Sequence, residues 1–152
     1  MLPLNNEEIE QIWQNLVYPP KQVKINSLEL TLKTIHTFES RGQIDFGGGE
    51  YEESKQQKIV PELEDDPKYG WWILDKGEYL IEYNEILSNS NYFAIVFPHE
   101  RLQMTGCYHS PFLANPQNSD NRISLKSLLS VSTDGVRIKE NARISTALTY
   151  RI

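Results

Sequence analysis

Two hydrophobic rhythms divide the chain. Near the N-terminus Ile9, Ile12, Trp13, Leu16 and Val17 recur at helical spacing, which predicts a short helix with one apolar face. Asn5 or Asn6 can cap it, and Glu7, Glu8 and Glu10 fall in the first turn, where the helix dipole favours acidic groups. Pro19-Pro20 ends this helical segment, residues 1–19, and Trp13 reads as its packing anchor. From Val23 the period shortens to two. Val23, Ile25, Leu28, Leu30, Leu32 and Ile35 alternate with polar residues, as in a half-buried strand. A phase slip near Ser27-Leu28 predicts a bulge or bend.

Turn residues punctuate the rest of the chain. Ser40-Arg41-Gly42 is a predicted turn, Ile44-Asp45-Phe46 a short strand and Gly47-Gly48-Gly49 a flexible loop. Trp71-Trp72-Ile73-Leu74 begins a central stretch. Neighbouring strand residues point to opposite faces, so at most one of the two Trp serves the main core. Two strands over Lys76–Leu87 and Tyr92–Phe97 flank Asn89-Ser90-Asn91, and Pro98 closes the second because it has no N–H to donate to a ladder. The loop expected after Pro98 is a natural place for binding groups. Ile123, Leu125, Ser127 and Leu129 alternate as a further strand. Thr133-Asp134-Gly135 is a turn, and Val136 to Tyr150 holds two final short strands around Glu140-Asn141. Short strands every ten residues or so predict an all-β chain with one small helix, a single domain over 1–152.

Composition narrows the functional classes. With 39% hydrophobic and 24% charged residues in 152, the chain is neither disordered nor made of membrane-spanning helices, and a membrane is not expected as a partner. No basic n-region precedes an apolar stretch at the N-terminus, so the expected location is cytoplasmic. The net charge of −6 argues against nucleic acid as a partner. A single cysteine, Cys107, rules out an intrachain disulfide and a thiolate zinc cage, and His36, His99 and His109 are too scattered for a metal-binding helix motif. Any metal would be a hard ion such as magnesium, held by carboxylates and a bound phosphate.

Three stretches carry candidate chemistry. The three glycines at 47–49 can cradle a phosphate, but no helix or Lys-Ser/Thr pair comes after them, and a mobile turn is the plainer reading. The acidic run Glu62-Leu63-Glu64-Asp65-Asp66 can collect a cation, or it is a solvated loop. Cys107 and Tyr108 lie beside the expected cleft, where a small buried thiol and a packed ring are the plain roles.

The order of elements resembles the dUTPase and dCTP deaminase superfamily, in particular its archaeal-type dUTPase-like branch. The resemblance rests on Pro20 with Val23-x-Ile25-Asn26-Ser27-Leu28-Glu29-Leu30-Thr31-Leu32, on Gly42-Gln43-Ile44-Asp45-Phe46, and on Leu74-x-x-Gly77-Glu78-Tyr79-Leu80-x-x-Tyr83-Asn84-Glu85. It continues through Ala94-Ile95-Val96-Phe97-Pro98, Gly106 and Gly135-Val136-Arg137-Ile138-Lys139-x-x-Ala142-Arg143-Ile144. The pieces are collinear over residues 20–146. The resemblance implies a distorted jelly-roll or β-barrel subunit in a homotrimer. It also implies sites between subunits that bind a deoxynucleoside triphosphate, dUTP or dCTP, with magnesium on its phosphates. In the family a dUTPase activates water with an aspartate, and a dCTP deaminase uses a glutamate on a central strand.

At those positions this chain departs from the family. Where the family has Arg-Ser-Ser-Leu after Phe-Pro, this chain has His99-Glu100-Arg101-Leu102. Glu100 would repel a triphosphate by about 4 kcal/mol at ~4 Å and an effective dielectric of ~20. Arg101 is a substitute cation, and His99 is another if protonated. Pairing of Glu100 with Arg101, or across a subunit contact, is the plainer reading. The dUTPase aspartate should fall at Ala114-Asn115, and an Asn115 amide cannot accept a proton. Asp120 is the nearest carboxylate, in a segment that reads as a turn. The family's Gly-Tyr after that aspartate is absent. The deaminase glutamate is matched by Lys126, a protonated ammonium that can bind an anion or simply be solvated. The last motif keeps Gly135, Arg137, Ala142 and Arg143, with Thr146 for a nucleotide-reaching Gln and Glu29 for the usual Asp of the first motif. A Gly-rich C-terminal arm like that of ordinary dUTPases is not expected, and the archaeal-type branch can lack it too.

Three readings are open. The leading one is a dUTPase-like protein that has lost hydrolysis and deamination while still binding a deoxynucleotide or another anion through His99, Arg101, Lys126, Arg137 and Arg143. No residue stands out as catalytic, and Asp120, Asn115 and Glu100 are the positions left for that role. The second is an active nucleotide hydrolase with a rebuilt site, and the third a structural or regulatory trimeric module.

Overall fold

A computed structural model describes residues 2–116 and 124–152. The elements in chain order are α1 (Asn6–Ile12), β1 (Trp13–Gln14), α2 (Pro19–Gln22), β2 (Val23–Lys24), β3 (Ser27–Phe38), β4 (Gln56–Lys58), β5 (Trp71–Leu74), β6 (Gly77–Tyr83), β7 (Ile86–Leu87), β8 (Tyr92–Pro98), α3 (Glu100–Met104), β9 (Cys107–Tyr108), β10 (Phe112–Ala114), β11 (Lys126–Val131), β12 (Val136–Lys139) and β13 (Arg143–Arg151). The main sheet runs β10-β8-β13-β3-β6-β11-β9, with β2 and β4 also paired to β3, and it curls into a half-barrel. β1-β7 and β5-β12 form two separate ribbons. The architecture is the expected all-β, dUTPase-like jelly roll.

β3 is the spine. Leu28, Leu30, Leu32 and Ile35 are fully buried on the barrel side, and Glu29 and Thr31 are buried as well. A strand covered on both faces cannot leave polar groups unpaired, so Glu29 and Thr31 must find partners. Trp72 is 1% exposed and serves the core, whereas Trp71 is only partly covered, as the alternation required. Register shifts at Leu32/Thr34 and Arg143/Ser145 bend the sheet around its axis.

Several local expectations need correction. Asn5 does cap α1 by accepting from the Glu8 N–H at 3.0 Å. The helix, however, stops at Ile12, because Trp13 and Gln14 pair with Leu87 and Ile86. Pro19-Pro20 opens α2 instead of ending α1, since proline fits a first helical turn. The slip near Ser27 is a tight hairpin between β2 and β3, with Asn26 at φ 58°, and it leaves Ile25 exposed. Residues 44–46 are not a strand. The Asp45 carboxylate accepts from Gly48 N at 3.1 Å and Glu50 N at 2.9 Å, which folds the glycine segment onto itself and leaves Ile44 and Phe46 exposed. The segment after Pro98 is a helical turn, α3. Ile123 lies outside the described residues. In β11 the buried side chains are Leu129 and Val131, while Leu128 faces outward. The last strand, β13, is not short: its nine residues pair with both β3 and β8. No helix of the described residues is long and apolar enough to cross a membrane.

Candidate functional site

β13 brings distant motif positions together at the open end of the barrel wall. Glu29 on β3, His99 at the start of α3 and Arg143 on β13 converge on one carboxylate. His99 Nε2 bonds one Glu29 oxygen, Arg143 donates to the other at 2.8 Å, and Lys24 Nζ lies 3.8 Å away. His99 Nδ1 accepts the Arg101 N–H at 3.0 Å, so its proton lies on Nε2, facing Glu29. His99 thereby caps α3 and ties it to β3. Arg143 also donates to the Lys21 carbonyl at 3.2 Å.

Beside this network a cleft of about 360 Å³ opens between α3, β12 and β13. Its lining includes Arg101, Arg137, Lys139 and Arg143, with Trp71, Leu102 and Ile138, and contains no carboxylate. Arg101 makes no ion pair among the described residues. Arg137 lies over the Trp71 ring, Cζ 4.6 Å from its centroid, with Lys139 Nζ at 5.6 Å. Such stacking holds cations in place on an apolar support. Outside the cleft Arg137 pairs with Glu64, and Lys139 Nζ sits 3.2 Å from Asp66. The Lys68 N–H first, and then Lys139, hold the Asp66 carboxyl below its ordinary value. The cation gathered by the acidic run is therefore the chain's own.

The expected ligand groups divide in two. Arg101, Arg137 and Arg143 share the cleft, and His99 adjoins it through Glu29. Lys126 lies elsewhere, exposed on β11 opposite Glu82, and lines two other depressions. Burial works to raise the Glu82 carboxyl, but the Ser124 and Thr34 hydroxyls, with Lys33 and Lys126, outweigh it and hold it low. Lys126 shares the larger depression, about 490 Å³, with Tyr108 and His109. Tyr108 is half exposed there, not packed as expected, because β9 is an edge strand. Cys107 is buried, as expected of a small thiol. Glu100 is exposed in the first turn of α3 and forms no ion pair with Arg101, since the two side chains leave the helix in different directions. Asn115 comes directly after β10, and Asp120 lies outside the described residues.

Two polar networks escape sequence reasoning. Glu85, fully buried, accepts from Thr31 N at 2.7 Å, from Thr31 Oγ1 and from Gln22 Nε2 at 3.0 Å. Burial pushes its carboxyl upward against these donors. In the second network, Ser145 Oγ lies 2.7 Å from both Tyr83 OH and His109 Nε2, while His109 Nδ1 donates to the Ser110 carbonyl at 2.9 Å. Burial lowers the His109 pKa and raises that of Tyr83. The side chains of both networks are buried, though His109 also borders the depression shared with Lys126, and both networks serve the fold. Their signal in the sequence is only a carboxylate, a histidine and a serine inside apolar runs.

Among the described residues no three carboxylate, imidazole or thiol groups meet in a metal cage, and the cleft's charged lining groups are cationic. Those cations suit a ligand's phosphates directly.

Comparison with known proteins gives these features a context. No family model matches. The chain is 34% identical over 140 residues to a probable deoxyuridine 5'-triphosphate nucleotidohydrolase of Methanosarcina acetivorans, covering 91% of this chain and 78% of that one. It is 32% identical over 142 residues to the protein of the same description in Methanosarcina mazei, with the same coverage. Its fold matches 2'-deoxycytidine 5'-triphosphate deaminase from Agrobacterium tumefaciens with a TM-score of 0.66 at 12% identity. That match covers 99% of this chain but spans only 48%, about half, of the deaminase chain. The chain belongs to the dUTPase and dCTP deaminase superfamily.

Proposed function

We propose that this chain is a dUTPase-like protein that holds the phosphates of a deoxynucleoside triphosphate, dUTP or dCTP, at the α3–β12–β13 cleft and turns it over poorly. The observation that carries the reading is a cleft lined by four cationic side chains and no carboxylate, in a chain of net charge −6. Arg101 supplies a planar donor fork suited to phosphate oxygens. Arg143 is half-committed to Glu29, which fixes its direction. Impairment is expected from the two inherited base positions. An Asn115 amide can orient a water but cannot take its proton, and general-base catalysis contributes about 10²–10⁴-fold. Lys126 carries an ammonium where the deaminase reaction needs a proton acceptor. In a homotrimer, a neighbouring copy would complete the nucleoside side of the site. Magnesium, if used, would arrive on the ligand's phosphates.

A thermal-shift and calorimetric panel of dUTP, dCTP and dTTP, with pyrophosphate-release and deamination assays, tests this reading. Stabilisation by dUTP or dCTP with turnover far below ~1 s⁻¹ supports it. Lack of any stabilisation leaves a structural or regulatory module. The description of both relatives as nucleotidohydrolases favours a second reading, active hydrolysis with a rebuilt base at Asp120 or Glu100. Asp120→Asn would then abolish turnover.

A further inference from the structure

The acidic run at residues 62–66 has no part in the phosphate binding just proposed, yet it touches the cleft's own cations. It sits in a loop closed at its base by reciprocal bonds between Glu62 and Trp71, at 2.8 and 2.7 Å. Gly70 fits against this closure, where a Cβ would come within 2.8 Å of the Glu62 carbonyl oxygen. Glu64 and Asp66 are two residues apart, and so are Arg137 and Lys139, which alternation places on one face of β12. The spacings match pair for pair. All four side chains are open to water, with exposures of 42% and 51% for Glu64 and Arg137 and 32% and 36% for Asp66 and Lys139. Their cationic members rest on Trp71, a support independent of the carboxylates.

We propose that Arg137 and Lys139 on Trp71 form an anion subsite that the chain fills with its own Glu64 and Asp66, and that a phosphate chain displaces these two carboxylates on binding. The proposal rests on the nucleotide-binding reading of the cleft. Exposed ion pairs are weak, so exchange for a ligand of higher charge density is favourable. The loop is held by the Glu62–Trp71 bonds, by two bonds between Gly70 and Glu140, and by the Lys68 and Tyr69 N–H groups on one Asp66 oxygen, so the exchange opens only the side-chain pairs to Arg137 and Lys139 and leaves the β5–β12 ribbon intact. Trp71 keeps the cations in position during the exchange. The acidic loop then acts as an internal competitor. It lowers affinity for weak anions and leaves the site to multiply charged ones.

The test is calorimetric titration of inorganic tripolyphosphate, and separately of dUTP, into four forms of the full chain. These are the wild type, E64Q/D66N, the charge-matched control E10Q/D65N and R137A/K139A. Glu10 and Asp65 are exposed and form no ion pair among the described residues, so the control changes net charge equally without freeing the subsite. The expected result is tripolyphosphate binding tightened about five- to tenfold in E64Q/D66N. It should be unchanged within about twofold in E10Q/D65N and weakened in R137A/K139A. The single variant E64Q should shift in the same direction by less, which keeps the test open should the double variant fold poorly. Equal affinity in wild type and E64Q/D66N, with dUTP still bound, overturns the internal competitor and leaves the nucleotide reading standing. Equal tightening in both double variants assigns the effect to net charge and also overturns it. Absence of binding by either probe to any form overturns both.

Discussion

Glu85 and Glu64 are both carboxylates with partners, and they do different work. Glu85 is fully buried and meets three donors from α2 and β3. Glu64 is 42% exposed and meets one arginine that also rests on a tryptophan ring. A buried group with every partner in place holds the fold to one arrangement, because any alternative leaves a desolvated charge or donor. A half-exposed pair costs little to open, because water and salt replace the partner. Of these two regions, the half-barrel interior holds fixed polar contacts and the β5–β12 ribbon beside the cleft holds exchangeable ones.

The largest expected effect tests the fixed side of that contrast. Glu85→Ala strips acceptors from Thr31 N, Thr31 Oγ1 and Gln22 Nε2 and should cost about 3 kcal/mol in denaturant unfolding. Glu85→Gln, which keeps one acceptor oxygen, should cost less. Gly135→Ala comes next. Gly135 stands at φ 73°, and an added Cβ would come within 2.5 Å of the Leu74 carbonyl oxygen. A loss of about 2 kcal/mol is expected, concentrated in the turn that leads into β12 beside the cleft.

His109 gives a smaller effect with a defined sign. Burial lowers its pKa from 6.5, so below that pH the unfolded chain takes up a proton that the folded chain resists. Unfolding then binds protons, and stability falls as pH drops below 6.5 until the folded imidazole also titrates. Unfolding curves at pH values from well above to well below that point should show this slope, and His109→Phe should flatten it. Smallest of all, E64Q/D66N should scarcely move the unfolding midpoint. A loss as large as that of Glu85→Ala would erase the distinction between fixed and exchangeable contacts.

Much of this organisation is legible in the sequence because alternation and turn residues are local signals. β3, β6, β8 and the Gly135 turn can be read from them, as can the division of labour between Trp72 and Trp71. The misreadings have a common cause. Leu16 and Val17 keep helical spacing, but strand pairing of Trp13 and Gln14 with β7 overrides it. Ile25 and Ile44 alternate correctly and still face solvent, because Asn26 and Asp45 fold their segments into turns. Of the site, Arg101, Arg137 and Arg143 are identifiable through the family motifs. Their grouping, and the separation of Lys126 from them, depend on register between strands far apart in sequence. The Glu64–Arg137 and Asp66–Lys139 pairs span about seventy residues, which no local pattern reports.

The proposed binding of a deoxynucleoside triphosphate and its proposed slow turnover can be tested in a single sample. In that experiment dUTP with magnesium is titrated into the protein while released pyrophosphate is followed. Saturable binding, weakened in R137A/K139A, is expected, with release far below ~1 s⁻¹. Release at or above ~1 s⁻¹ would contradict the proposed function, because neither the Asn115 amide nor the Lys126 ammonium can take the proton such a rate requires.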